Sequence, residues 1–410
     1  MGGRGCIGGV LVVCLLAPGC WSSESRVDGA FSQEEWAFLQ TFKLPEPELC
    51  PEGFVGDRCD AAVRLGKHLF FDPEISGPIT DDLAAEPDAP GRPGQAGVVS
   101  CASCHDSATF FTDTRSQPGQ VSIGTGYTKH NALGLVNIGY KRLVARDACK
   151  LPDADAYCAN VYSWDGQYDT PGAVLGLALR EKAMNSDHAT LAATVAKNHS
   201  AGYVELFQLG PCAVGQSSGC DSPDQVFDNV VLVFEAYERR LDRANSLFDH
   251  YIAGELTALS ADAKRGLALF IGKAMCVDCH RPPLLSDLRF HNTGVPQRGP
   301  HVLAIDRGLY DHAPASNDPP QHYLGEFLTQ PLRNVAETGP YMHAGQLGSL
   351  ADVIEFYRHG GGDEGYVGVK DPRIQPLEID DDDARALEAF LRSLTSEGNL
   401  PDYLTRPEID

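Results

Sequence analysis

Beyond its first twenty residues the sequence has no apolar run that could cross a bilayer as a helix, which takes about 20 consecutive apolar residues. A helical membrane-spanning protein is thereby excluded. Positive charge is in short supply: 33 Lys and Arg stand against 56 Asp and Glu, a formal charge of −23. That balance disfavours nucleic acid and anionic membrane surfaces, and it suits a basic protein partner through electrostatic steering. The plainer reading is that the charge keeps an exported protein soluble. Blocks of like charge are short, so the chain is not a disordered acidic polymer. Strand-like alternation is scarce, which argues against a sheet-built fold. Methionine is scarce as well: only Met184, Met275 and Met342 remain besides the start residue.

What is present begins with an export signal over residues 1–20. Arg4 supplies the positive region, Ile7 to Leu16 a short apolar run, and Leu16-Ala17-Pro18-Gly19-Cys20 closes it. The ending resembles a bacterial lipobox, which implies lipid on Cys20 and a periplasmic or cell-envelope lipoprotein of a Gram-negative bacterium. An ordinary cleaved signal with Cys20 left spare is the other reading. The 13 cysteines then sort themselves. Cys6 and Cys14 leave with the signal. Cys101, Cys104, Cys276 and Cys279 belong to two Cys-x-x-Cys-His pentapeptides. Six remain as close neighbours: Cys50 with Cys59, Cys149 with Cys158, Cys212 with Cys220. An even remainder in an exported chain points to disulfides, neighbour pairing being the simplest of the connectivities open to them.

Helical patterns dominate the rest. Ser32-Gln33-Glu34-Glu35 is a capping box, followed by Trp36, Leu39 and Phe42 on one face. Val226 to Arg243 carries an apolar face through Phe227, Val230, Val231, Phe234 and Tyr237. Ser260 caps a helix through Leu267 and Phe270. Asp381 to Leu394 opens with three acids, which suit a helix N-terminus, and carries Leu387, Phe390, Leu391 and Leu394 in a stripe. Residues 77–98, 311–321 and 360–376 are rich in Pro, Gly and Asp and read as surface loops. The expected organisation is mainly α: an N-terminal domain over 21–245 and a C-terminal one over 246–410, each with one of the two pentapeptides. No strong internal repeat stands out beyond the two pentapeptides.

Those pentapeptides, Cys101-Ala102-Ser103-Cys104-His105 and Cys276-Val277-Asp278-Cys279-His280, carry the chemistry. Two thiols at this spacing reach the two vinyl groups of one haem, and the adjacent His turns under the iron as proximal ligand. A zinc site or a thioredoxin-like redox pair does not need His directly after the second Cys. Two covalently bound haem c groups are therefore expected. The sixth ligand decides what each can do, since a saturated iron passes electrons and an open iron binds peroxide or oxygen. For the second haem, spacing alone allows Met342, His343 or Tyr357; each also has an ordinary role in packing or hydrogen bonding.

Several motifs in order give the chain a resemblance to a known family. Leu65-Gly66-Lys67-His68-Leu69-Phe70-Phe71-Asp72-Pro73-Glu74-Ile75-Ser76 precedes the first haem motif, and Phe111-Thr112-Asp113, Ser122-Ile123-Gly124, His130-Asn131-Ala132 and Trp164-Asp165-Gly166 follow it. After the second come Pro331-Leu332-Arg333-Asn334-Val335 and Thr338-Gly339-Pro340-Tyr341-Met342-His343, leading to Phe356-Tyr357. From about residue 60 to 395 the chain resembles the bacterial di-haem cytochrome c peroxidase and MauG superfamily. The resemblance implies two cytochrome-c-like helical domains with the haems near their interface. It places Trp164 between the haems as an electron route, and Asn131, Thr338 and Pro340 at an inter-domain calcium site; a core Trp and an ordinary turn are the bland alternatives. The peroxidases carry a Met seventeen residues beyond the calcium-site Pro, where this chain has Tyr357, as MauG-like enzymes do. Many of them also have a distal His within Ser-Ile-Gly-His-Gly, where this chain has Thr125, which implies an open first haem. A family Glu before a Met is replaced here by Ala183-Met184, so proton transfer to peroxide falls to Glu181 or His130, unless those two are merely solvated or structural.

The function so implied is a MauG-like di-haem oxidase. It would use hydrogen peroxide to reach a high-valent, bis-Fe(IV)-type state and oxidise a partner protein at long range. Two alternatives stand beside it: a di-haem cytochrome c peroxidase that takes electrons from a small cytochrome or copper protein, and a non-catalytic di-haem electron carrier.

Overall fold

The computed structural model describes residues 26–116, 118–150, 158–313 and 321–405. The signal, Cys20 and most of the loop between Asp311 and Gln321 lie outside the described residues. The fold is mainly helical, as the scarcity of alternation predicts. Among the described residues the only sheet is a pair of two-residue strands, Phe290–His291 and Phe327–Leu328, antiparallel with Phe290 opposite Leu328. The capping box at Ser32 forms with both its hydrogen bonds, and Ser260 caps Ala261–Ile271. The three neighbour disulfides form, with Cα–Cα distances of 6.1, 5.4 and 4.9 Å.

Two hydrophobic cores are built on the same plan. In the first, helix Asp57–Phe71 crosses helix Pro223–Arg239. A side chain at Gly66 would meet the Val233 carbonyl oxygen at 2.0 Å, so only glycine permits this approach. In the second, Ala261–Ile271 crosses Asp381–Arg392, and a side chain at Gly266 would meet the Ala386 carbonyl oxygen at 1.9 Å. The buried stripe of Pro223–Arg239 differs from the expected one. Val226, Val230, Val233 and Tyr237 face helix Asp57–Phe71, while Phe227 and Val231 are half-buried at the flank, against helix Pro171–Arg180.

The ends of the described chain cross between the cores. Residues up to 245 were expected to serve the first domain, yet Phe31, Leu39 and Phe42 pack in the second core, with Phe42 on Phe248 at 5.8 Å and Trp36 on Tyr251 at 5.4 Å. The reason is burial: the helix after Ser32 has an apolar face, and Phe248 and Tyr251 offer the surface to cover it. Leu404, from the other end, lies in the first core, where its carbonyl accepts from the Tyr237 hydroxyl at 2.6 Å.

A third cluster joins the halves, with Tyr140, Leu143 and Val161 against Leu284, Leu288, Phe290, Leu309 and Leu328. Beside it lies a buried charge network. Lys129 Nζ reaches Asp165 at 2.8 Å and Asp306 at 3.4 Å, His130 Nε2 meets Asp306 at 2.7 Å, and His312 Nε2 meets Asp165 at 3.0 Å. Burial alone would raise both carboxyls; the bonds from the two histidines and the nearby positive charges outweigh it and hold both well below the usual carboxylate range. Removing one member leaves buried charge uncompensated. Asp306→Asn should therefore cost about 3 kcal/mol at neutral pH. A depressed carboxyl contributes stability that is fully present above its unfolded pKa of about 3.9 and is lost as pH falls through the lower folded value. Urea unfolding at pH 7 and in acid should show the gap between wild type and variant narrowing as pH falls; equal stability at pH 7 would remove the network from the list of stabilising contacts.

Candidate functional site

Each Cys-x-x-Cys-His segment opens as a single 3-10 turn, Cys101–Ser103 and Cys276–Asp278, and each closing His amide donates to the first Cys carbonyl at 2.9 Å. The imidazoles are then oriented in the same way. His105 Nδ1 donates to the Phe111 carbonyl at 3.1 Å, and His280 Nδ1 donates to the Leu285 carbonyl at 2.8 Å. With Nδ1 committed, Nε2 carries the lone pair and is left for a metal. Phe70 and Phe270, four residues beyond Gly66 and Gly266, each lie 6.4 Å from the His of their own half, at nearly equal tilts of 47° and 44°. Burial pushes both imidazoles below the ordinary His value, so both are neutral, as a ligand must be.

The four motif thiols are free, whereas the other six described cysteines are all in disulfides. Burial pushes Cys101, Cys104 and Cys276 up to about 12 and Cys279 up to about 11. A thiol exchange pair needs the opposite, a depressed thiol. A zinc reading fares no better. Cys279, Asp287 and His291 come within 4.8 Å of one another, but Asp287 and His291 already pair at 2.9 Å, and that cluster includes one thiol only. The donor set fits haem c at both places.

A cavity of about 570 Å³ opens over the second motif, within the range of roughly 300–1,000 Å³ usual for bound ligands. Cys276, Cys279 and His280 line it, and so do all three ligand candidates, Met342, His343 and Tyr357. They are not equally placed. The His343 ring stacks on Phe327 at 3.8 Å, bonds Gln346 at 3.1 Å, and burial with its charged neighbours brings it down to about 3. Met342 sits in the left-handed region at φ 72°. Tyr357 stands on helix Leu350–Arg358, hydrogen-bonded to Thr293. Burial, and then the two motif sulfurs, push its phenol far above the ordinary value.

The same cavity wall holds Trp164, Asn131, Thr338 and Pro340. Trp164 Nε1 donates to the Asn131 carbonyl at 2.9 Å, and Asn131 Oδ1 is buried with no hydrogen-bond partner. Cys101, Cys104 and His105 are not on this wall, but Phe110 and Thr112, which flank the acceptor of His105, are. The two motifs therefore converge through one loop.

Near the first motif, Thr125 is fully buried, its hydroxyl donating to the Lys182 carbonyl at 2.9 Å. Its amide donates to the Ala183 carbonyl at 3.2 Å, which joins the loop at 122–126 to the one at 181–184. Glu181 is exposed at the end of helix Pro171–Arg180 and makes no ion pair among the described residues. His130 is held by Asp306, in the charge network between the halves. Sequence reading missed Arg115, whose Nη2 lies 3.4 Å from Cys104 Sγ. It also missed Glu238, whose carboxyl burial pushes up to about 8 and whose charge bears on Cys101, and Lys141 on the cavity wall. No spacing rule marks these residues; each becomes visible only when helices pack.

Comparison with known proteins bears on the same segments. Residues 60–257 match the model of the di-haem cytochrome c peroxidase family. A cytochrome-c peroxidase of Denitromonas iodatirespirans is 31% identical over 392 residues, covering 88% of this chain and 90% of its own. The methylamine utilization protein MauG of Methylorubrum extorquens is 28% identical over 379 residues, covering 92% and 89%. Among solved structures, a MauG-like protein associated with microbial copper homeostasis aligns with a TM-score of 0.61 at 25% identity, over 88% of this chain and 98% of that one. The diheme peroxidase BthA of Burkholderia thailandensis gives the same score and identity, over 82% and 86%. Replacing Cys276 and Cys279 together by Ser should leave one covalent haem per chain, on Cys101 and Cys104. Pyridine haemochrome quantification should show half the wild-type haem; an undiminished count would remove the second pentapeptide as an attachment site.

Proposed function

The chain belongs to the di-haem cytochrome c peroxidase and MauG family of haem-dependent enzymes, and from that premise we propose that it is a MauG-like oxidase. It takes hydrogen peroxide at the haem of His105 and oxidises a partner protein through Trp164 and the haem of His280 and Tyr357. The observation that carries this reading is Tyr357, on the wall of the second haem cavity, where the peroxidases of this family are expected to carry Met. Once attached, the haems supply the redox chemistry, an open iron reacting with peroxide and an iron with a tyrosinate ligand favouring its higher oxidation states.

The chain's own residues support this division. Thr125 offers no nitrogen or sulfur ligand, and its hydroxyl is already bonded to Lys182. Tyr357 is a neutral phenol in the haem-free chain, so ligation must release its proton. Trp164 is held by the Asn131 carbonyl, which fixes the indole on the cavity wall. Of the two acid–base candidates, His130 is tied to Asp306, so we assign proton delivery to Glu181 beside Ala183. Asn131, Thr338 and Pro340 are assigned a calcium ion: the partnerless Asn131 Oδ1 is the hard oxygen donor such a cation takes. Export to the periplasm and lipid on Cys20 belong to the same proposal. No helix among the described residues is long and apolar enough to cross a membrane.

A second reading, a peroxidase fed by a small cytochrome or copper protein, draws on Met342, which lines the same cavity, and on the relative named cytochrome-c peroxidase. Optical and EPR spectra of the ferric protein, before and after one equivalent of peroxide, separate the two. The oxidase predicts one high-spin and one His/Tyr haem, both altered by peroxide without prior reduction. A requirement for half-reduction supports the peroxidase, and two low-spin haems unmoved by peroxide leave only an electron carrier. Tyr357→Phe should keep two haems, lose the His/Tyr signal and slow the peroxide-driven change by at least roughly tenfold, the equivalent of about 1.4 kcal/mol. An unaltered signal would pass the ligand role to Met342 or His343.

A further inference from the structure

One part of the second cavity's wall carries hydrogen-bond donors without matching acceptors. Lys141, on helix Ile138–Ala148, is 3% exposed. Its Nζ donates to Gln330 Oε1 at 3.0 Å, and no carboxylate among the described residues pairs with it. Burial brings its ammonium down to about 7. Gln330, with its oxygen so used, has a buried Nε2 that no acceptor meets. Asn334 and Asn137 repeat the pattern. The oxygen of Asn334 accepts from the Ser396 amide at 2.8 Å and that of Asn137 from the Arg243 amide at 2.6 Å, which fixes both side-chain amides, and both Nδ2 atoms are buried without partners. Arg333 gives Nη1 to Asp249 at 2.6 Å and Nη2 to the Phe42 carbonyl at 3.0 Å, while its Nε is left unpaired. All five residues line the cavity.

Buried polar groups are normally paired, and five neighbouring side chains with only donors to spare call for a buried acceptor carrying negative charge. Haem c has one such part. Its vinyl groups go to the two thiols and its iron to His280, which leaves two propionate carboxylates, acceptors only when ionised. We propose that Asn137, Lys141, Gln330, Arg333 and Asn334 receive the propionates of the haem attached at Cys276 and Cys279. The inference rests on that haem occupying this cavity. Asn137 and Lys141 come from the first half of the chain and the other three from the second, so the propionates also join the halves.

The test uses the two-haem protein and its Lys141→Met, Lys141→Gln and Lys141→Arg variants, each checked for haem content. Resonance Raman spectra report the propionate bending bands, and a redox titration reports the potential of the second haem. Lys141→Met should shift those bands and lower that potential, because a lost positive charge favours the ferric state. Lys141→Gln, which keeps a donor and covers the case that Met does not fold, should lower the potential with a smaller band shift. Lys141→Arg should restore both. Two haems with unshifted bands and an unchanged potential would overturn the inference alone, leaving the donors to ordered water. A wild-type chain with a single haem would overturn both the premise and the inference.

Discussion

An imidazole has two nitrogens, and a hydrogen bond at one fixes the tautomer and the ring orientation that the other offers to an iron. Everything else at both sites depends on that constraint. The Nδ1 bond to a carbonyl of the following loop, Phe111 in one half and Leu285 in the other, sets the ring plane and the tautomer together. For the bond to persist, the loop must be fixed against a helix, and the helix against its partner. The chain meets this twice with the same parts: a glycine at a close helix crossing, a phenylalanine four residues on beside the His ring, then the turn that presents the thiols.

The haem motifs were legible because their chemistry demands fixed residue types at fixed spacing; the disulfides were expected because six cysteines remained as three close neighbours, and the fold brings each pair together. The helix starts at Ser32 and Ser260 were legible because capping is local. The duplicated scaffold was not. Gly66 and Phe70 sit in a segment that looked like a family signature, while Gly266 and Phe270 sit in one that looked like an ordinary amphipathic helix. Their shared Gly-x-x-x-Phe spacing is too common to flag without the backbone approach that explains it. Trp164, Asn131, Thr338 and Pro340 were named from resemblance, which also singled out Tyr357 from the three candidates that spacing allowed, and all five share one wall in the structure. Lys141 was invisible because a lysine on a helix usually faces water, and only the cavity shows that this one does not.

The halves share a scaffold and differ above it. Over the second motif the wall supplies a phenol, an imidazole and a thioether within one cavity. Near the first, a threonine is turned away into a backbone contact. The asymmetry is therefore one of side chains on loops and a single helix, added to a duplicated frame. Such additions leave the proximal bonds untouched, so the surroundings of each motif can differ while its His stays fixed.

The crossing of the chain ends bears on the order in which this molecule can be completed. Leu404 belongs to the first core, and the Thr405 carbonyl accepts from the Ser107 hydroxyl, two residues past His105. A chain made from its N-terminus cannot close that core until residues some three hundred positions later have emerged. Phe31 and Phe42 must likewise wait for Phe248 and Phe390. Neither half is thus a module that finishes alone during synthesis, because each core waits for residues from the far side of the described chain.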